Sequence, residues 1–186
     1  MSVRLGVMAS GRGSNFVAIQ NEIERGTLDA EIALMISDRG NAHVLELAEK
    51  RCIPARSLPY DKSDRAAFEK QAGDAFEAAG SDYIVLAGFM RILTPYFIER
   101  FSGRILNIHP SLLPSFKGLH PQRQALEAGV KFSGCTVHLV TSDLDDGPIL
   151  AQAVVPVLAG DTEESLSARI LEQEHRLYAE AIRGLE

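Results

Sequence analysis

The segment Asn107-Ile108-His109-Pro110 holds the residues of this 186-residue chain whose types and spacing are best suited to catalysis. Side chains of an extended strand alternate between its two faces, so Asn107 and His109 project to the same side. Pro110 favours an extended conformation at His109, which continues the alternation to the strand end. An amide and an imidazole that both donate hydrogen bonds can stabilise the negative charge on a carbonyl oxygen under attack. The structural alternative is that Asn107 satisfies loop backbone while His109 packs under Pro110.

An acidic loop at residues 142–148, Ser-Asp-Leu-Asp-Asp-Gly-Pro, offers a carboxylate partner for His109. A carboxylate close to the ring would favour the imidazolium and make His109 a general acid at neutral pH. Because Asp, Gly and Pro are also common turn formers, the loop is equally compatible with a turn that has no catalytic role. His138 lies within an apolar run, where burial beside the site explains it better than direct catalysis.

A glycine-rich turn at residues 10–15, Ser-Gly-Arg-Gly-Ser-Asn, separates the first apolar run from a helical pattern. Its glycines let backbone N–H groups approach an anion, and the positive end of the following helix points to the same place. The turn therefore predicts a phosphate site. It lacks the third glycine of the dinucleotide fingerprint, since Phe16 stands there, and it lacks the P-loop ending. The alternative is a tight turn in which Ser14 or Asn15 caps the helix.

Alternating strand and helix patterns surround these segments. Helices are predicted at residues 16–26, 42–51, 64–79 and 122–128, in a short turn opened by Thr94-Pro95, and from Asp161 onward. Strands are predicted at residues 3–9, 31–36, 53–58, 83–87, 104–108, 135–140 and 149–157. This order predicts an α/β fold with an open, mainly parallel sheet, helices on both faces and an antiparallel addition at one edge. Ligands bind beyond the carboxyl ends of such strands, where the segments above lie.

Composition limits the classes of function. Hydrophobic residues make up 46% and charged residues 24% of the sequence, which predicts a soluble globular protein with one domain over residues 1–186. The net charge of −6 argues against a nucleic-acid partner, which would require a basic face. No apolar run is long enough for a membrane span or a signal peptide. Cys52 and Cys135 form neither a disulfide framework nor a metal-ligand spacing, so we expect a reducing cytoplasm and no metal.

The sequence NIHPSLLPSFKGLHPQRQAL, followed by GCTVHLVTSDLDDGPILAQ, resembles the folate-dependent formyltransferases. The motifs GRGSN, LAGFMRIL at 86–93 and QEH at 173–175 extend the resemblance over nearly the whole chain. The resemblance implies a Rossmann-like fold and a co-substrate, 10-formyltetrahydrofolate. It also implies that the formyl group passes to the amine of glycinamide ribonucleotide in purine biosynthesis, by direct attack of the amine.

The resemblance also implies a set of site residues. Asn107 and His109 match the catalytic pair, and Asp145, 145 − 107 = 38 residues after Asn107, falls on the carboxylate that interacts with the histidine. Asp146 departs from the pattern because a glycine or small residue is expected there, so two carboxylates compete for this role. The residues matching the ribonucleotide-binding positions are Gly13, Ser14, Asn15 and Glu174. Those matching the folate-binding positions are Arg65, Met90, Arg91, Ile92, Leu93 and Asn107.

Other functions fit part of the pattern. Methionyl-tRNA formyltransferases and formyltetrahydrofolate hydrolases share the Asn-x-His-Pro-Ser-Leu-Leu-Pro core, but we expect each to carry a further domain. A dehydrogenase would use an acidic residue after the second strand, which Asp38 supplies, although Phe16 replaces its third glycine. A non-catalytic nucleotide-binding module would tolerate the loss of His109. In each case the expected partners are small molecules, and a homodimer is compatible with the sequence.

Overall fold

The computed structural model describes residues 2–185, and within that range it contains seven strands and six helices. The strands are β1 (Val3–Met8), β2 (Ala30–Ser37), β3 (Ala55–Ser57), β4 (Tyr83–Leu86), β5 (Ile105–His109), β6 (Phe132–Leu139) and β7 (Ile149–Pro156). The helices are α1 (Ser14–Glu24), α2 (His43–Lys50), α3 (Arg65–Ala78), α4 (Pro95–Arg100), α5 (Pro121–Glu127) and α6 (Glu163–Arg183). The chain forms two compact units, of which the first ends at Leu106 and the second begins at Asn107, so both include residues of β5.

In the first unit the strand order is β3-β2-β1-β4, and β5 follows β4. Strand β1 pairs in parallel with β2 and with β4, and β2 pairs in parallel with β3. Strand β1 requires a glycine at Gly6, since a Cβ there would lie 2.4 Å from the ring of Phe76 on α3. Phe76 is fully buried, so its ring takes the space that a side chain at Gly6 would need.

In the second unit the strand order is β5-β6-β7, and β6 pairs with β7 in antiparallel register from Phe132↔Pro156 onward. Helix α6 begins with a capping box formed by Thr162 and Ser165. It buries one apolar face, formed by Leu166, Ile170, Leu177, Tyr178, Ala181 and Ile182. This spacing of three, four and seven residues is that of an amphipathic helix packed on a core.

The predicted architecture, a mainly parallel α/β sheet with an antiparallel addition at one edge, is confirmed. Several element boundaries differ from the predicted ones, including both ends of β3, and two of the differences have a clear structural cause. Helix α1 begins at Ser14 because Gly13 adopts the left-handed conformation and takes the capping position, so neither Ser14 nor Asn15 caps the helix. Strand β6 begins at Phe132, earlier than its apolar pattern indicated, because pairing with β7 extends it. The single domain over residues 1–186 stays a prediction.

Candidate active site

His109 is the last residue of β5, and both of its ring nitrogens face acceptors. Nε2 lies 2.9 Å from the main-chain oxygen of Phe116, and Nδ1 lies 3.4 Å from Oδ2 of Asp145. Since carbonyl and carboxylate oxygens only accept hydrogen bonds, this geometry accommodates a hydrogen on each ring nitrogen. The side chains of His109 and Asp145 are 8% and 9% exposed, so the two polar groups face each other in a nearly dry environment.

Asp145 is held in place by the loop that carries it. Its backbone is left-handed (φ 49°), and its Oδ2 accepts a hydrogen bond of 2.9 Å from the Gly118 amide. The neighbouring Asp146 points elsewhere: its carboxylate pairs with the Lys117 ammonium and is 53% exposed. Of the two carboxylates that compete in the sequence, the structure therefore brings Asp145 to His109.

Asn107 contacts His138, which is buried beside the site as its apolar surroundings in the sequence predicted. Its Nδ2 lies 3.2 Å from Nε2 of His138, and Nδ1 of His138 lies 3.0 Å from the main-chain oxygen of Leu139. Burial lowers the pKa of His138, which keeps this ring neutral at pH 7. A neutral ring that donates from Nδ1 to Leu139 accepts at Nε2, so it fixes the direction of the Asn107 amide and uses one of its two hydrogens.

The four side chains lie side by side. Nε2 of His138 is 3.8 Å from Oδ1 of Asp145, whose other oxygen faces His109. Both of these atoms are acceptors while His138 is neutral, so no hydrogen bond joins them, and Asn107 with His138 and His109 with Asp145 form two adjacent pairs. Such a group can present two kinds of donor, a neutral amide and a charged ring, to one developing oxyanion. Ser111 supplies no nucleophile, because it is fully buried and its hydroxyl donates to the Ser115 carbonyl.

The proline-rich loop after β5 is fixed by strands β6 and β7. Oγ1 of Thr136 accepts a hydrogen bond from the Leu113 amide and donates one to the Ser111 carbonyl. Nε2 of Gln152 donates to the Leu113 carbonyl at 2.9 Å. These contacts to main-chain groups hold the start of the loop, and the loop in turn presents Phe116 and Gly118 to the site. The rigid segment therefore serves to position backbone groups around His109.

The glycine-rich turn of the first unit leads into α1 as predicted. Gly13 has φ +79°, and a Cβ on it would lie 2.6 Å from the side chain of Val44. The Gly11 carbonyl accepts a hydrogen bond from the Val44 amide, which ties the turn to α2. Ser14 and Asn15 form the first turn of α1, where main-chain N–H groups have no partner within the helix. This arrangement is suited to an anion such as phosphate.

Apart from Asn107, the folate-binding positions implied by the resemblance lie in two segments of the first unit. Met90, Arg91, Ile92 and Leu93 lie in the irregular segment between β4 and α4. Arg65 is the exposed first residue of α3, and the residue before it, Asp64, caps the helix by accepting a hydrogen bond from the Ala67 amide. Asp38, the residue that a dehydrogenase would need for its nucleotide, is instead paired with Arg91 at 2.6 Å.

Glu174, implied as a contact to the ribonucleotide sugar, lies on the buried side of α6. Burial raises the pKa of the Cys135 thiol to about 12, and the charge of Glu174 contributes to this shift. No group of three or more His, Cys, Asp or Glu suited to a metal ion occurs among residues 2–185. Likewise, none of the helices described is both long and apolar enough to cross a membrane.

Two contributors to the site were missed in the sequence, the Phe116 carbonyl and the Thr136 hydroxyl, and the hydrogen bond of His138 to Asn107 was not foreseen. Side chains two apart in β6 share a face, so alternation along Thr136-Val137-His138 could have grouped the threonine with the histidine. Nothing in the sequence indicates the Phe116 carbonyl, since it reaches His109 through a left-handed backbone at a non-glycine residue (φ 58°).

These observations define an α/β protein with an amide, two histidines and a carboxylate gathered at the end of β5. Residues 3–182 match the model of a family described as formyl transferase. The chain belongs to the formyl transferase family, and the resemblance read in its motifs is confirmed.

Relatives with defined activities cover most of the chain. The phosphoribosylglycinamide formyltransferase of Escherichia coli K12 is 43% identical over 173 residues, which are 92% of this chain and 82% of that protein. The trifunctional purine biosynthetic protein adenosine-3 of Gallus gallus is 43% identical over 97% of this chain, which spans only 18% of that longer protein. The crystal structure of glycinamide ribonucleotide transformylase 1 from Symbiobacterium toebii superposes with a TM-score of 0.93 at 48% identity, covering 97% of this chain and 86% of that one.

Proposed function

We propose that this chain transfers the formyl group of 10-formyltetrahydrofolate to the amine of glycinamide ribonucleotide, a step of purine biosynthesis. The ion pair between His109 and Asp145, next to the Asn107 amide, is the observation that carries the proposal. Relatives that formylate this ribonucleotide match the chain over nearly its whole length, which supports the choice of acceptor.

The proposed reaction needs no covalent enzyme intermediate. The amine nitrogen of the ribonucleotide attacks the formyl carbon, and a new C–N bond forms as negative charge moves onto the formyl oxygen. Asn107 and His109 donate hydrogen bonds to that oxygen, and Asp145 keeps the His109 ring charged and oriented. Collapse of the tetrahedral intermediate breaks the bond between the formyl carbon and folate N10. The proton lost by the amine is taken up by N10, so the overall exchange is balanced.

One step must precede this chemistry. In the structure Nε2 of His109 already donates to the Phe116 carbonyl, and Nδ1 faces Asp145. For Nε2 to reach the formyl oxygen, that oxygen must replace the Phe116 carbonyl as acceptor. The exchange preserves the number of hydrogen bonds at the ring, so its cost lies in moving the main chain at Phe116 rather than in leaving a buried donor unpaired.

The remaining residues of the proposal bind the two substrates. Gly13, Ser14 and Asn15 hold the phosphate at the first turn of α1, supported by the left-handed Gly13 and by the positive end of the helix that begins there. Glu174 accepts hydrogen bonds from the sugar. The folate is bound by Arg65, by Asn107 and by the segment Met90, Arg91, Ile92 and Leu93. In this proposal the partners are small molecules rather than nucleic acids, no metal takes part, the compartment is the cytoplasm, and a homodimer is allowed.

A single assay tests the function. The purified chain is mixed with 10-formyltetrahydrofolate, with and without glycinamide ribonucleotide, and the deformylated folate is followed by absorbance. Turnover that requires the ribonucleotide supports formyl transfer. Turnover without the ribonucleotide would instead identify a formyltetrahydrofolate hydrolase, and no turnover in either mixture would favour a binding module.

Variants test the roles of the residues. His109→Ala and Asn107→Ala are each expected to lower turnover by about 10²–10³, the usual effect of removing one oxyanion donor. Near-parental rates in correctly folded variants would contradict the mechanism.

A further inference from the structure

The segment between β4 and α4 lacks regular structure, yet its backbone is expected to bind a ligand. Two of its apolar side chains, Met90 and Ile92, are each 69% exposed, so they contribute little burial to hold the segment in place. Hydrogen bonds and side-chain contacts from other parts of the first unit must therefore determine its conformation.

Among the contacts that hold this segment, three involve residues 89–91. The first comes from Ser10, whose Oγ accepts a 2.9 Å hydrogen bond from the Met90 amide. The second is the stacking of Phe89 on Phe68 of α3, with ring centroids 6.0 Å apart. The third is made by Arg91, and it is the only one of the three that involves charged groups.

Arg91 is held on two sides. Its Nε donates to Oδ2 of Asp38 at 2.6 Å, and its guanidinium lies over the ring of Tyr60, 4.4 Å from the centroid. The Tyr60 ring is itself supported edge-on by Phe68 at 5.5 Å. A planar cation fixed by a carboxylate in its plane and an aromatic ring on its face has little freedom to rotate.

Asp38 is placed to make this contact and no other. It follows directly after β2, its side chain is fully buried, and its Oδ1 has no hydrogen-bond partner among the residues described. Arg91, whose side chain is 33% exposed, is thus the group that compensates the buried carboxylate. A buried charge with a single cationic partner holds that partner strongly, since separating them would leave the charge uncompensated.

We propose that Asp38 and Tyr60 are positioning residues for formylfolate binding, and that they act by fixing Arg91 and the main chain at residues 90–92. This inference rests on the proposed function, in which that segment binds the folate. Neither residue takes part in the chemical step, so their loss should change folate affinity while the formyl-transfer rate of the saturated enzyme remains unchanged.

Steady-state kinetics with each substrate varied in turn test the proposal. For Asp38→Asn and Tyr60→Ala we expect the KM for 10-formyltetrahydrofolate to rise about five- to twentyfold, with kcat and the KM for glycinamide ribonucleotide within about twofold of the parent. Tyr60→Phe keeps the ring and should restore the parental KM. Asp29→Asn removes an exposed carboxylate that also belongs to the β2 region and serves as the matched control.

Calorimetric titration of the same variants with 10-formyltetrahydrofolate gives the affinity without turnover. A parental dissociation constant for Asp38→Asn, or an equal change in kcat and in both KM values, would overturn the positioning role. A parent protein without ribonucleotide-dependent turnover would refute the proposed function instead. The titration would then still decide whether Asp38 controls folate binding.

Discussion

Replacing Asp145 by Asn removes one charge from the site while preserving its shape. The side chain keeps its volume, and its remaining oxygen can still accept the hydrogen bond from the Gly118 amide. What is lost is the attraction between the carboxylate and the His109 ring, whose nearest atoms are 3.4 Å apart. The substitution therefore isolates the electrostatic role of Asp145 from its part in holding the loop.

The size of the effect follows from this distance. Two unit charges about 4 Å apart attract each other by about 4 kcal/mol at an effective dielectric constant of about 20. The catalytic benefit of one oxyanion donor is similar, roughly 3–4 kcal/mol. At about 1.4 kcal/mol per tenfold change in rate, we expect Asp145→Asn to lower kcat by about 10²–10³. The KM for each substrate should change little, because the lost charge acts on the transition state.

Asp146→Asn is a matched control, since it makes the same chemical change one residue away. Asp146 is 53% exposed and pairs with Lys117, so its loss should leave kcat within about threefold of the parent. Initial rates from deformylated-folate absorbance, with thermal denaturation to verify folding, provide the measurement. If Asp145→Asn were folded and as active as Asp146→Asn, the reasoning about the ion pair would be refuted.

Measurements of stability against pH, of thiol modification and of a substitution at Gly13 test other parts of the structure. Burial lowers the pKa of His138 below the ordinary 6.5, so as the pH falls the unfolded chain takes up a proton before the folded chain does. Stability should therefore be lost below about pH 6.5, and His138→Gln should flatten the dependence of the thermal midpoint on pH; an unchanged slope would contradict this. Because burial raises the pKa of the Cys135 thiol to about 12, a chromogenic thiol reagent should modify only Cys52 until the protein is denatured. Gly13→Ala should lower the free energy of unfolding by about 1–3 kcal/mol in urea titrations. Adding Val44→Ala should recover only a small part of that loss, since it removes the 2.6 Å contact with Val44 Cγ2 but leaves the Val44 Cβ at 2.8 Å and the left-handed backbone.

The sequence was sufficient to predict the fold and to select the histidine. The strands are apolar runs separated by helical patterns, so their order along the chain determines an α/β architecture. Alternation along β5, continued by Pro110, places Asn107 and His109 on one face, and both have polar contacts within the group around Asp145. The element ends were less predictable because pairing with a neighbouring strand, as at Phe132, extends a strand beyond its apolar residues.

The contacts of the site depend on information that a single sequence lacks. The pair formed by Asn107 and His138 requires β6 to follow β5 in the sheet, and strand order is not encoded in local spacing. The pair formed by Asp38 and Arg91 joins residues 53 positions apart for the same reason. The Phe116 carbonyl is a main-chain acceptor that depends on a positive φ at Phe116. Bulky residues rarely adopt a positive φ, so the sequence does not predict this conformation.

The neutral ring of His138 can be used to monitor the hydrogen bonding of the neighbouring Asn107 amide. With a proton fixed on Nδ1 by the Leu139 carbonyl, its Nε2 is a bare nitrogen whose ¹⁵N resonance responds to whether the Asn107 amide donates to it. In protein labelled with ¹⁵N-histidine, the His138 resonance would therefore report on the hydrogen bonding of the Asn107 amide. A shift on adding a stable formyl analogue would show that binding changes the hydrogen bond between Asn107 and His138.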